Sequence, residues 1–231
     1  MPTVSKVLVV DVGGTHIKAL ATGMQTPIKI VSGPSFTAGD MVREVKAALK
    51  NRKYEAVSMG YPGPVVHHRP MREPYNLGRG WVGFDFRKAF GRPIKIVNDA
   101  AMQALGSYQG GRMLFLGLGT GLGSAMIVDG VLQPMELAHL PYQHGKNYED
   151  YLGLRGLKRL GRKQWERKVH KVVSELREAL GADRVVLGGG NAKKLKQLPD
   201  KTSLGSNENA LLGGFRLWDV KTDSAIPRLA K

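Results

Sequence analysis

No cysteine occurs among the 231 residues, which excludes disulfides and cysteine-ligated zinc and fits a reducing compartment. Acidic side chains are scarce: 19 Asp and Glu stand against 35 Lys and Arg, leaving a formal charge of +16. Aromatic residues make up only 7%, and no zinc-finger, homeodomain or RNP-type motif accompanies the positive charge, which disfavours a nucleic-acid partner. No apolar run approaches the roughly 20 residues that a membrane span needs. The N-terminal MPTVSKVLVVDVGG carries no signal-peptide cleavage region, so a cytoplasmic protein without a membrane partner is expected. Low-complexity stretches and long linkers are missing too. GxxxxGK[ST] does not occur, and the central glycines are spaced by two rather than as GxGxxG, which disfavours P-loop and Rossmann enzymes. HExxH is absent as well, because Glu136 and His139 lie only three apart.

What the chain has is 30 glycines, several of them gathered in two similar stretches. MLFLGLGTGLGSAM, at 113–126, opens with an apolar run and continues with glycines at 117, 119, 121 and 123 around Thr120. VLVVDVGGTHIKAL, at 7–20, repeats that plan, with Asp11 at the offset that Gly117 occupies. A turn without Cβ atoms bends sharply and brings its N–H groups against an anion. Two phosphate-type hairpins half a chain apart predict a duplicated α/β architecture around a phosphate tail. The plain alternative is a β-hairpin with a Gly-Gly turn. Asp11 suits Mg²⁺ held through water, because that ion keeps much of its hydration shell. Lys18 adds positive charge nearby.

Strands are expected at 4–10, 16–21, 56–59, 93–97, 125–128 and 184–187, with helices at 37–50, 98–108 and 207–220 and a frayed tail over the last ten residues. The run 60–65, GYPGPV, reads as a rigid turn, and Asp129-Gly130 as a hairpin. Asp99, at a strand-to-helix junction, is either a helix cap or a general base facing a substrate hydroxyl. Trp81 either caps a core edge or stacks on a sugar ring. Leu154 to Leu180 is helical by pattern, interrupted at Gly161. The segment 153–201 holds 14 Lys and Arg against 5 Asp and Glu, which suits either a solvated basic face or a polyanion such as inorganic polyphosphate.

Taken together, DVGGTHIK (11–18), GYPGPV (60–65), NLGRGW (76–81), NDAAMQALG (98–106), LGLGTGLGSAMIVDG (116–130), ELAHL (136–140), YEDYLG (148–153) and GGGNA (188–192) resemble the ROK sugar kinases, closest to their polyphosphate-glucokinase-like branch. The resemblance implies a two-domain actin-like ATPase (ribonuclease H-like) α/β fold with a cleft between the lobes. The lobes are set at 1–97 and 98–231, with the closing helix 207–220 packing back toward the hinge. It implies that Asp11, Gly13, Gly14 and Thr15 form the first phosphate turn, near the charge of Lys18, that Gly119, Thr120 and Gly121 form the second, and that Gly188, Gly189 and Gly190 lie on the adenosine side. Asp99 matches the catalytic aspartate. Asn76, Asn98, Glu136, His139 and Glu149 match positions that hold sugar hydroxyls together with Asp99.

The family's cysteine-rich zinc loop is replaced by a short bridge at 141–147, so no zinc is expected. A homodimer is the family's common habit. The implied activity is transfer of a terminal phosphoryl group from ATP, inorganic polyphosphate or both, with Mg²⁺, to the 6-hydroxyl of glucose. The alternatives are a kinase for another hexose or an amino sugar, or a non-catalytic sugar sensor that kept the pocket.

Overall fold

The computed structural model describes residues 4–50, 52–206, 208–218 and 228–229. The chain divides into two compact units, Met1–Met102 with Ala210–Thr222, and Gln103–Asn209 with Asp223–Lys231.

In the first unit, β1 (Val7–Val12), β2 (His16–Ala21) and β3 (Ile28–Val31) form an antiparallel meander. Helix α1 (Ala38–Leu49) starts at a capping box. The Thr37 hydroxyl and N–H donate to the Asp40 carboxylate, which holds Asp40 down at about 2, and the Asp40 N–H donates back to Thr37. Met41, Val45 and Leu49, spaced for one helix face, are buried. Strand β4 (Ala56–Tyr61) then pairs parallel with β1.

A two-rung hairpin, β5 (Val65–Val66) with β6 (Arg69–Pro70), and the short α2 (Phe86–Phe90) lead to β7 (Ile94–Asn98), parallel to β4. The strand order is β3-β2-β1-β4-β7. One face packs Leu8, Val10, Ile17, Met41 and Val45 around Trp81, which has no exposed surface and lies 5.9 Å from the Tyr61 ring. Trp81 is therefore a core residue, and its ring is not available to stack on a sugar. Helix α3 (Asp99–Ser107) follows β7, and the division between the units falls inside it.

In the second unit, β8 (Arg112–Leu118), β9 (Leu122–Val128) and β10 (Val131–Met135) form another antiparallel meander. The expected hairpin turn between the last two falls at Asp129-Gly130, both with positive φ. A 3₁₀ turn at Leu137–His139 comes next, then α4 (Tyr148–Leu152) and α5 (Leu154–Ala179). Helix α5 breaks at Gly161 as its sequence predicts, and it buries Trp165, Val169, Val172, Val173 and Leu176.

Strand β11 (Arg184–Gly188) runs parallel to β8, and β12 (Thr202–Leu204) runs parallel to β11. Helix α6 (Asn209–Arg216) is shorter than expected; Asn207, Asp219 and Val220 of the expected 207–220 lie outside the described residues. From Ala210 onward this helix belongs to the first unit, where Gly214 packs on Val9 and the Gly214 carbonyl accepts from the buried Ser58 hydroxyl at 2.5 Å. The expected frayed tail lies outside the described residues except for β13 (Arg228–Leu229), which pairs parallel with β10.

The two sheets repeat one plan. On each, an antiparallel meander of three strands (β3-β2-β1, β10-β9-β8) is extended by two parallel strands (β4 and β7, β11 and β12). The register repeats as well. Asp11 faces Lys18 and Gly60, and Gly117, at the matching offset, faces Gly123 and Gly188. The duplication expected from the two hairpins is thus present strand by strand. No helix among the described residues is long and apolar enough to cross a membrane.

Candidate active site

Strands β1, β4 and β7 run parallel, so their carboxyl ends share one sheet edge, where open α/β sheets collect ligands. Asp11 pairs with Gly60, and Gly60 with Val97. At about 4.8 Å per strand, the Asp11 backbone lies about 10 Å across the sheet from the end of β7, where Asn98 and Asp99 begin α3.

The first turn, Gly13–Thr15, is braced on its carbonyl side. Gly13 N–H donates to the His16 carbonyl at 3.1 Å. Ser32 donates its hydroxyl to Gly13 O at 2.8 Å and its N–H to Thr15 O at 3.0 Å. Among the described residues, no protein acceptor takes the N–H groups of Gly14 and Thr15, which leaves them to solvent or an anion. Asn76 backs this turn so closely that a Cβ on residue 14 would lie 2.8 Å from the Asn76 Cβ. Asp11 keeps 15% of its side chain exposed and faces Lys18 Nζ at 3.8 Å. Burial pushes its carboxyl up, and the Lys18 ammonium offsets part of that rise.

At the end of β7, the cap of α3 is Asn98 rather than Asp99 alone. Asn98 Oδ1 accepts from the N–H groups of Ala100 at 2.9 Å and Ala101 at 3.4 Å, and its Nδ2 donates to Gly63 O at 3.0 Å. Asn98 therefore locks the 60–65 turn to the start of α3 and keeps one amide hydrogen for another acceptor. Asp99 accepts the Ala100 N–H on Oδ1 at 2.8 Å and remains partly exposed.

The second unit presents the equivalent edge. The turn Gly119–Gly121 is closed by Gly119 N–H, shared between the carbonyls of Gly117 and Gly121 at 3.2 and 3.1 Å. The N–H of Leu154, opening α5, ties down the carbonyls of Gly119 and Thr120. As in the first turn, no protein acceptor among the described residues takes the N–H groups of Thr120 and Gly121.

Beside it, the 188–190 turn starts from the strand paired with β8. Gly189 sits at φ +79°, and a Cβ there would lie 2.5 Å from the Leu118 carbonyl oxygen. Only glycine allows that approach. Asn191, buried, joins the two turns: its N–H donates to Leu118 O at 2.9 Å and its Nδ2 to Gly119 O at 2.8 Å.

The model of the ROK family matches residues 7–134. The chain belongs to the ROK family. It is 27% identical over 211 residues to polyphosphate glucokinase of Mycobacterium tuberculosis (strain CDC 1551 / Oshkosh), an alignment covering 80% of this chain and 77% of that protein. Among solved structures it resembles the inorganic polyphosphate/ATP-glucomannokinase of Arthrobacter sp. strain KM, at a TM-score of 0.72 and 23% identity over 91% of this chain and 96% of that one. It also resembles a ROK family glucokinase from Streptomyces griseus in complex with glucose and AMPPNP, at a TM-score of 0.65 and 18% identity over 97% and 93% of the two chains. The fold is the two-domain actin-like ATPase fold of these kinases.

For a ROK chain, the remaining residues singled out in the sequence cluster near the second turn. Glu136 precedes the 3₁₀ turn that ends at the exposed His139, and that turn packs against β9 and α4. Glu149, in the first turn of α4, rests its carboxylate against the Gly121 Cα and pairs with Arg155 at 2.8 Å. Within the basic 153–201 segment several cations are occupied. Arg155 also faces Asp150, Arg159 lies over the Tyr151 ring, Lys168 donates to Gln143, and Arg177 faces Asp200. Lys158, Arg162 and Lys163 on α5 are exposed.

Among the described residues no group of three His, Cys, Asp or Glu side chains could hold a metal ion. Asp11 alone still fits Mg²⁺, which binds through one or two carboxylates, water and substrate phosphates. Sequence reading missed Ser32, Asn191 and Arg155. Asn191 had a signal, since it directly follows the triple glycine, whereas the reach of Ser32 to a turn 17 residues earlier had none.

Proposed function

We propose that this protein is a sugar kinase that moves the terminal phosphoryl group of ATP or inorganic polyphosphate to the 6-hydroxyl of glucose. The observation that carries the reading is the doubled turn. Each sheet ends in a glycine turn whose two foremost N–H groups have no protein acceptor among the described residues, and the first of those turns shares its edge with Asp99. N–H groups fixed in this way stabilise phosphate oxygens without reorganising during the reaction. The first turn (Asp11, Gly13, Gly14, Thr15, with Lys18) and the second (Gly119, Thr120, Gly121) hold donor phosphates. Gly188, Gly189 and Gly190 give a flat surface for the nucleoside of ATP. Asp11 is the residue to hold Mg²⁺, which when bound supplies charge compensation on the phosphates.

Asp99 orients the sugar hydroxyl and accepts its proton as the oxygen–phosphorus bond forms. The bond to the leaving phosphate breaks, releasing ADP or a polyphosphate shorter by one unit. Asn98 turns its remaining amide hydrogen, and Asn76, Glu136, His139 and Glu149 their polar groups, to the other hydroxyls. When the donor is polyphosphate, its distal units follow the exposed cations Lys158, Arg162 and Lys163. The curated relative of M. tuberculosis, a polyphosphate glucokinase, supports the choice of sugar and donor. The test is a coupled assay crossing a panel of hexoses and amino sugars with ATP and polyphosphate. Turnover highest with glucose supports the reading. Sugar binding without turnover on any donor contradicts it and leaves a sensor.

A further inference from the structure

The amino ends of the first unit's parallel strands carry a feature that the catalytic reading does not use. Two adjacent hollows, of about 430 and 400 Å³, open there. Lys46, Lys50, Arg52 and Lys53 line one, at the end of α1 and before β4. Arg87, Lys88 and Arg92 line the other, at the end of α2 and before β7. Two hydrogen bonds join the walls: Arg92 Nε donates to Tyr54 O at 2.9 Å, and Lys46 Nζ to Ala89 O at 2.9 Å.

Among the described residues Asp85 is the one carboxylate in either lining, and its oxygen accepts the Lys88 N–H in capping α2. Among the described residues, none of the seven cations takes part in a salt bridge. Helix dipoles account for basic residues in the last turns of α1 and α2. They do not account for Arg52, Lys53 and Arg92, which lie beyond the helices. Seven like charges around two hollows create a positive local potential that favours an anion shared between them.

We propose that this face is an anchoring site for a linear inorganic polyanion, namely a distal stretch of polyphosphate whose end is being consumed. The ligand's identity rests on the donor proposed above, and the site itself on the charge and the hollows. The linings favour a chain of phosphates over nucleic acid. Single-stranded nucleic acid needs exposed aromatic faces on which bases stack. The one aromatic here, Tyr54, is half-buried, with its hydroxyl on Phe90 O at 3.4 Å. The face lies at the opposite ends of β4 and β7 from Asp99, roughly 15 Å away along the sheet. A long chain reaches both places and gains avidity from the second, whereas tripolyphosphate cannot.

The test is a variant carrying Lys50→Gln, Lys53→Gln, Arg87→Gln and Lys88→Gln. Each is an exposed side chain that makes no hydrogen bond or ion pair among the described residues, so folding is retained. Binding and KM of long-chain polyphosphate are measured beside those of tripolyphosphate, with ATP-dependent turnover as control. The expected result is about a tenfold or greater loss of long-chain affinity with a shallower salt dependence, and unchanged tripolyphosphate KM and ATP turnover. Single reversals, Lys50→Glu and Lys88→Glu, should each weaken long-chain binding if the fourfold variant folds poorly.

Unchanged long-chain affinity in these variants overturns the proposal, as does loss only on changing Lys158, Arg162 and Lys163 to Gln. RNA displacing polyphosphate at equal phosphate concentration overturns it in favour of nucleic acid. If the wild type turns over ATP but neither binds nor uses polyphosphate, this site falls while the sugar-kinase reading stands.

Discussion

Asn191 and Gly119 are joined by a 2.8 Å hydrogen bond from the buried Asn191 amide to the Gly119 carbonyl. With the second bond, from Asn191 N–H to Leu118 O, it fixes the 119–121 turn against the 188–190 turn. Asn191→Ala keeps the backbone bond and leaves the Gly119 carbonyl without that donor, at a cost of about 1–3 kcal/mol. Donor KM should rise severalfold while the Kd for glucose, measured without donor, stays put. Equal weakening of both ligands would mean that Asn191 only supports the fold.

Gly189 and Gly190 should part company. Gly189→Ala forces a Cβ into the Leu118 carbonyl at a left-handed φ of +79°, so melting should show a clear loss of stability. A Cβ at Gly190 meets no atom within 4 Å. Gly190→Ala should therefore keep its Tm within a degree or two and raise the KM for ATP, because the added methyl occupies space that the nucleoside needs. A Gly190→Ala enzyme with normal ATP kinetics would remove that residue from the site.

The buried Asp11 carboxyl gives two pH predictions. Its pKa is raised in the folded protein above the unfolded value, so the folded state holds the proton more tightly. Stability from that proton is present below the unfolded pKa and is lost as pH rises through the folded pKa. Asp11→Asn should accordingly melt higher than the wild type at neutral pH while losing Mg²⁺-dependent turnover. Lys18→Met removes the ammonium that offsets the rise, so the acid limb of kcat/KM for the donor should move to higher pH. A limb that stays in place would separate Lys18 from Asp11.

Much of this site was legible because turns of this kind write themselves locally. The pair Gly13-Gly14 and the alternating glycines from 117 mark both hairpins, and β2 runs from His16 to Ala21 as its pattern predicts. The burial of Trp81 depends instead on Tyr61 and Phe86, brought to it by tertiary packing. Strands β3 and β12 have only four and three residues, too few for a period-two pattern to register. The use of Asn98 as a cap was hidden by Asp99, an equally good capping residue one position on. The brace from Ser32 and the pairing of Glu149 with Arg155 are contacts between loops and helix starts, which no local periodicity announces.

The central claim, that Asp99 receives the sugar's proton, is tested most directly by kcat for glucose phosphorylation in Asp99→Ala. The account predicts a fall of roughly 10²–10⁴, with the Kd for glucose little changed. Turnover near that of the wild type would contradict it.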